Sequence, residues 1–194
     1  MIDAENAVAS QIVEAARTYF LRFGYSRVST EEIARSIGRS KKTLYKHFET
    51  KEALLHAVLA RVDGEAQREI TVLLSEVGGD RLARLRGILT AVAVHMASTH
   101  QVLLADLRLC SPELGQQAWR ERRQALSLLL TPVLDEAAKE GVIRNDLPTD
   151  KALAIYFSCV EGMASPIDVA QNAQAPGELF GTLVSLMVDG LRRR

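Results

Sequence analysis

Six basic side chains, Arg35, Arg39, Lys41, Lys42, Lys46 and Lys51, crowd into a stretch whose only acid is Glu49, a local charge of 6 − 1 = +5. The whole chain, by contrast, is neutral, with 24 basic and 24 acidic residues. Ammonium groups at this density attract a polyanion, and the interleaved Thr43 and Tyr45 add hydrogen-bond donors of the kind that reach phosphate oxygens. A charge run alone is more often a solvated helix face. The spacing favours the first reading. At about 100° per residue, Leu44 and Phe48 share one face of a helix. Lys42 and Lys46 lie nearly opposite, with Thr43 and Tyr45 on the flanks. One side of this helix is built to be held and the other to be shown.

The elements that position this face can be read on either side of it. Ser29 can cap a helix, with Glu32 three residues on closing a capping box, and Ile33 and Ile37 define its apolar side before Gly38 ends it. Ser40 then caps the basic helix. Two short helices meeting at a glycine make a helix-turn-helix, whose second helix enters the major groove of DNA. Upstream, Ile12, Ala15, Ala16, Tyr19, Phe20 and Phe23 recur at helical spacing between Ala7 and Phe23, and Gly24 stops the pattern. This predicts a third helix packed against the other two.

At these residues the sequence resembles the TetR family of transcriptional regulators. GRSKKTLYKHFETKEALL is similar to that family's signature, FGYSRVSTEEIA to its usual entry into the second helix, and the match is strong through Leu55. The resemblance implies double-stranded operator DNA as partner. It assigns contacts to the phosphate backbone to Thr30, Thr43, Tyr45, His47 and Lys51, with packing as the alternative role of His47. Base reading falls to the start and outward face of the recognition helix, hence to Ser40, Lys41, Lys42 and Lys46, since lysine can donate to guanine O6 and N7. Two positions depart from the pattern. Arg39 replaces a small apolar residue and Lys42 a residue that is often glycine; both add positive charge, so the family's base preferences do not transfer.

The remainder reads as further helices. After Thr50, a possible cap, a long helix is predicted over Lys51 to Ser75, ended by Gly78-Gly79-Asp80. Others follow over Arg81 to Ser98, Gln101 to Cys110, Glu113 to Lys139, Lys151 to Met163 and Gly177 to Leu191, with a longer connection from Ser165 to Pro176. No strand-like alternation interrupts them. The expected fold is therefore all-α with about nine helices: a DNA-binding head over residues 1–50 and a larger ligand-binding and dimerisation domain over 51–194. The last two helices are apolar around much of their circumference, so each must be buried on more than one side. Either they are internal or, as the family's four-helix bundle implies, they pair two copies through Tyr156, Val160, Leu179, Leu183 and Met187.

At 194 residues, 47% hydrophobic and 25% charged, the composition is that of an ordinary globular protein. No secretory leader is visible, and the longest nearly apolar run, Ile88 to Ala97, is shorter than the roughly 18 residues of a membrane span. A cytoplasmic location is expected. Cys110 and Cys159, far apart within helical patterns, read as reduced core thiols rather than a disulfide or metal site. No catalytic set, metal site or cofactor motif is recognisable: His95 and His100 do not share a helical face, and there is no phosphate loop or nucleophile elbow. The family resemblance implies a small-molecule effector, for which His95, Met96, Leu107, Trp119 and Met163 are candidate lining residues, with plain core as the alternative. A second functional reading remains, an all-α small-molecule-binding protein or enzyme that merely carries a helix-turn-helix.

Overall fold

The computed structural model describes residues 2–75, 80–98, 101–163 and 176–192, with side chains for 6–75, 80–96, 102–163 and 178–192. The Gly78-Gly79 stop, His100 and the connection after Ser165 lie outside the described residues. Nine helices occur among the described residues: α1 (Ile2–Phe23), α2 (Thr30–Ser36), α3 (Lys41–His47), α4 (Lys51–Ser75), α5 (Arg81–Ser98), α6 (Gln101–Cys110), α7 (Pro112–Lys139), α8 (Thr149–Met163) and α9 (Pro176–Leu191). Every helix expected from periodicity is present. The main difference is at α1, which begins five residues earlier than its apolar pattern because the polar turn before Ala7 simply continues the helix.

The chain forms two compact units, residues 1–64 with 100–119, and residues 65–99 with 120–194. In the first, α1 contributes Ile12, Ala16 and Phe20 to a core shared with Ile33 of α2, Leu44 of α3, Leu54, Leu55 and Val58 of α4, and Leu103 and Leu107 of α6. The boundary expected at residue 50 therefore runs through this core. The first turns of α4 and the whole of α6 have apolar faces that the three-helix head alone needs in order to be covered.

The second unit is organised around α5. Leu85, Ile88, Leu89, Val92, Ala93 and Met96 are all buried, and α8 and α9 both pack on this helix. From α8 come Ala152, Leu153, Tyr156, Phe157 and Val160, and from α9 Phe180, Val184, Val188 and Leu191. Tyr156 is wholly buried, yet its hydroxyl is satisfied, donating to the Leu89 carbonyl at 2.5 Å; burial pushes its pKa up and keeps it neutral. Arg86 ties α5 to α9 through Asp189 at 3.0 Å and the Ser185 hydroxyl at 3.2 Å.

Because α3 owes its place to one fully buried residue, Leu44, Leu44→Ala should cost about 2–5 kcal/mol of stability. Chemical denaturation would show this as a lower midpoint. Lys42→Ala, at an exposed position, should leave the midpoint within about 0.5 kcal/mol of the parent.

Candidate nucleic-acid interface

The head is set by local hydrogen bonds before any partner is involved. The hydroxyl of Ser29 accepts from the Glu32 amide at 3.1 Å, while the Glu32 carboxylate accepts from the Ser29 amide at 2.8 Å, a complete capping box at the start of α2. Bonds donated to the Glu32 carboxylate by the Ser29 amide and, also at 2.8 Å, by the Ser29 hydroxyl hold its pKa below the usual carboxylate range. At the end of α2 the Gly38 amide reaches the Arg35 carbonyl at 3.0 Å and the Arg39 amide reaches Ala34 at 2.9 Å. Gly38 has φ +66 with open space around it, so glycine is needed there for the backbone turn rather than for room. Ser40 caps α3 by accepting from the Thr43 amide at 3.1 Å.

The side chains of α3 divide as the wheel requires. Leu44 is buried, Ile37 and Phe48 pack partly against the core, and Lys41, Lys42, Tyr45 and Lys46 are exposed. Arg35 and Arg39 are exposed on the preceding turn and add to the same positive field. The Lys41 ammonium stands 5.9 Å from the centre of the Tyr45 ring, an attractive placement that keeps both groups outward. Lysine reading of base edges from such a face is chemically straightforward.

Several assigned residues turn out to have duties inside the head. Ser40, expected to read a base, is engaged as the cap and in a 2.9 Å bond with the half-buried Thr43 hydroxyl. Thr30 is buried, and its hydroxyl meets the Tyr45 hydroxyl at 3.2 Å; the two hydroxyls are a linked pair of which only Tyr45 is exposed. His47 is half-buried at the end of α3. Lys51 is half-buried as well, its ammonium donating to the Tyr25 carbonyl at 2.6 Å and lying 4.3 Å from the Tyr25 ring centre. Burial lowers the Lys51 pKa. Sequence reasoning missed this strut, and also Asp106, which binds the loop between α1 and α2 from α6. Nothing local could have signalled either, because the partners are 26 and 80 residues apart.

The residues expected to line an effector site are distributed over both units. In the first, Leu107 belongs to the head core, and Trp119 is buried with no hydrogen-bond partner for its indole N–H among the described residues. In the second, Met96 is buried at the end of α5, Met163 is half-buried on α8, and His95 is half-buried, its carbonyl accepting from Arg122 at 3.2 Å. Burial first, then the positive charge of Arg122, pushes the His95 pKa down to about 4. Two cavities in this unit are lined by other side chains. One of about 580 Å³ is bounded by Leu74, Arg84, Leu85, Ile88, Val133 and Ala137. An open groove of about 830 Å³ runs past Ala83, Arg86, Gly87, Ala91 and Asp189.

Of the residues expected in a dimer interface, Tyr156 and Val160 are wholly buried within this chain's own core. On the same two helices Leu179, Leu183 and Met187 are half-buried, while Ile155 and Leu186 are 57% and 71% exposed. Cys110 is exposed rather than in the core, and Cys159 is half-buried; both are free thiols. Among the described residues no group of three or more potential ligands could hold a metal ion, and no helix is long and apolar enough to cross a membrane.

Residues 12–58 match the sequence profile of the bacterial regulatory proteins of the tetR family. Over 184 residues the chain is 24% identical to the HTH-type transcriptional repressor Rv1474c of Mycobacterium tuberculosis, covering 94% of this chain and 92% of that protein. Among solved structures, the fatty acid degradation regulator FadR from Bacillus halodurans superposes with a TM-score of 0.75 at 22% identity, covering 96% of this chain and 97% of that one. A TetR-family transcriptional regulator from Pectobacterium atrosepticum gives a TM-score of 0.78 at 18% identity, with 100% and 98% covered. The structural likenesses establish the fold.

Two measurements follow from the geometry. If Lys42 reads a base, Lys42→Ala should cost about 1–3 kcal/mol at the preferred site and relax sequence choice there, whereas Tyr45→Phe should weaken all sequences alike; competition binding with variant duplexes separates the two. For His95, the folded-state pKa lies below the unfolded value, so the folded protein resists protonation. Stability should fall as pH drops from about 6.5 toward 4. Thermal melting across that window should show a shallower decline in a His95→Leu variant.

Proposed function

Its helix-turn-helix head makes the chain a member of the TetR family of transcriptional regulators, and from that premise we propose a homodimeric repressor released from double-stranded operator DNA by a small-molecule effector. The observation that carries the reading is α3 itself, with Leu44 buried and Lys41, Lys42 and Lys46 turned to solvent. In this proposal those lysines read bases. Tyr45, oriented by Thr30, contacts a phosphate together with Thr43 and His47, while Ser40 and Lys51 chiefly hold the geometry. A gel-shift assay against DNA flanking the protein's own gene tests it. A discrete, competition-resistant complex is expected, and binding no tighter to that DNA than to random sequence would overturn the reading.

In this scheme residues 1–50 supply the DNA-contacting surface of a head completed by the start of α4 and by α6, and the rest of 51–194 supplies effector binding and dimerisation. Dimerisation is assigned to α8 and α9, supported by the exposed Ile155 and Leu186 and the half-buried Leu179, Leu183 and Met187. Large apolar side chains repeated on two helix surfaces fit a helical bundle between copies. Two heads must then meet successive major grooves, about 34–36 Å apart or a permitted multiple. The effector is assigned to the second unit, with His95, Met96 and Met163 as candidate contacts; an imidazole held neutral by burial and by Arg122 suits a mostly apolar molecule with one polar group. Control through α4, which runs without interruption from Lys51 to Ser75, would alter the placement of the heads. The work of such a protein is in the cytoplasm, where its DNA is.

Sedimentation of the pure protein should give twice the chain mass, and Leu186→Glu, which charges an exposed position without disturbing the protomer core, should give folded monomers. A wild type that stays monomeric at micromolar concentration would overturn the dimer. For control, linkage requires effector and DNA to weaken each other equally, by about 5- to 150-fold for a typical coupling. Titration of candidate ligands with and without the bound duplex checks this. Equal affinity in both states would exclude release, and tighter binding on DNA would make the ligand a corepressor.

A further inference from the structure

The loop between α1 and α2 is shaped around a carboxylate that belongs to neither helix. Asp106 of α6 accepts from the Ser26 amide through Oδ2 and from the Ser26 hydroxyl through Oδ1, both at 2.6 Å. Gly24, with φ +87, opens the loop, and a Cβ there would stand 2.8 Å from the Asp106 Cγ. Both the left-handed backbone and the close approach therefore demand glycine. On its other side the loop is held by α4, through the bond from Lys51 to the Tyr25 carbonyl. The charged groups facing the Asp106 carboxylate are Arg27 on the loop and Lys51 on α4, with the Cys110 thiol 3.9 Å away on α6. Burial opposes its charge, but the bonds from Ser26 and Tyr25 and the Arg27 charge together hold its pKa below the usual carboxylate range.

Leu103 and Leu107 already bury α6 in the head core. Apolar contact is non-directional, so it fixes that α6 touches the head without fixing where the loop stands. Hydrogen bonds to both oxygens of one carboxylate do fix it, because they lose strength steeply with misalignment. Three residues after Ser26 the chain enters the Ser29 cap, and the next residue, Thr30, orients the Tyr45 hydroxyl on α3. We propose that Asp106 is a positioning residue for DNA binding: by gripping the loop at Ser26, α6 sets where Thr30 and Tyr45 stand. Helix α6 thereby becomes a working part of the head, and a displacement of α6 is felt at the phosphate-contacting side chains. This rests on the repressor reading above.

The test compares wild type with Asp106→Ala, Asp106→Asn and Ser26→Ala. Affinity for DNA flanking the protein's own gene is measured by fluorescence anisotropy, folding by circular dichroism, and amide exchange across residues 24–36 by mass spectrometry. Asp106→Ala should bind about tenfold more weakly, as loss of one charge-assisted anchor can produce. Asp106→Asn keeps one acceptor and the shape of the side chain, so it should fall between the two. The Ser26→Ala, Asp106→Ala double variant should bind no more weakly than Asp106→Ala alone. Amides of residues 25–36 should exchange faster while those of α1 around Ile12 to Phe20 stay protected, a local change that general destabilisation would not produce. Should Asp106→Ala fail to fold, Asp106→Asn and Ser26→Ala carry the comparison. Folded variants that bind DNA like the wild type, or that exchange like it over 25–36, overturn the inference. A wild type that shows no preference for this DNA instead defeats the repressor reading.

Discussion

Everything the head can do depends on burying one side of a helix too short to stand alone. Helix α3 has seven residues, well under the length at which an isolated helix is stable in water, and a single wholly buried leucine, Leu44, fastens it to the core of α1, α2, α4 and α6. Burying such a side chain contributes about 1.5–3 kcal/mol. This attachment holds the exposed lysines in one orientation; on an unattached peptide the same charges would have no fixed direction.

Around that attachment the polar residues are engaged mainly in setting angles. Ser29 with Glu32, Ser40 with Thr43, Thr30 with Tyr45, Lys51 with Tyr25 and Asp106 with Ser26 are hydrogen bonds that hold a helix end, a loop or a side chain in place. A head whose residues hold one another in this way arrives at its partner with little ordering left to do, and the cost of binding falls accordingly. The side chains left to face outward are Lys41, Lys42 and Lys46, the lysines proposed to read bases, and Tyr45, proposed to contact a phosphate whatever the sequence.

The second unit follows a different rule. Its central helix, α5, is buried by apolar residues of α8 and α9 rather than organised by caps, and its one wholly buried phenol is satisfied by the Leu89 carbonyl. Having taken Tyr156 and Val160 for the protomer's own core, these helices present Ile155 and Leu186 outward. The same helix thus serves a fold inside and an unfilled apolar surface outside, which is why its sequence is apolar nearly all round.

What the sequence determined by itself was whatever depends on neighbours a few residues apart. Helix periodicity placed the helices, the Ser29 to Glu32 spacing gave the capping box, Gly38 gave the turn, and Leu44 and Lys42 gave the buried and exposed faces of the basic helix. What only the tertiary structure decided was how residues far apart in sequence share one place. It put α6 in the head core rather than beyond a boundary at residue 50, turned Lys51 inward to Tyr25, and gave Tyr156 and Val160 to the protomer's core. It also brought Asp106 to Ser26 across 80 residues of chain. The physical reason is that caps and amphipathic faces are short-range properties of the chain. A hydrogen bond between distant segments has no local signature, because its partner is chosen by how the apolar faces pack.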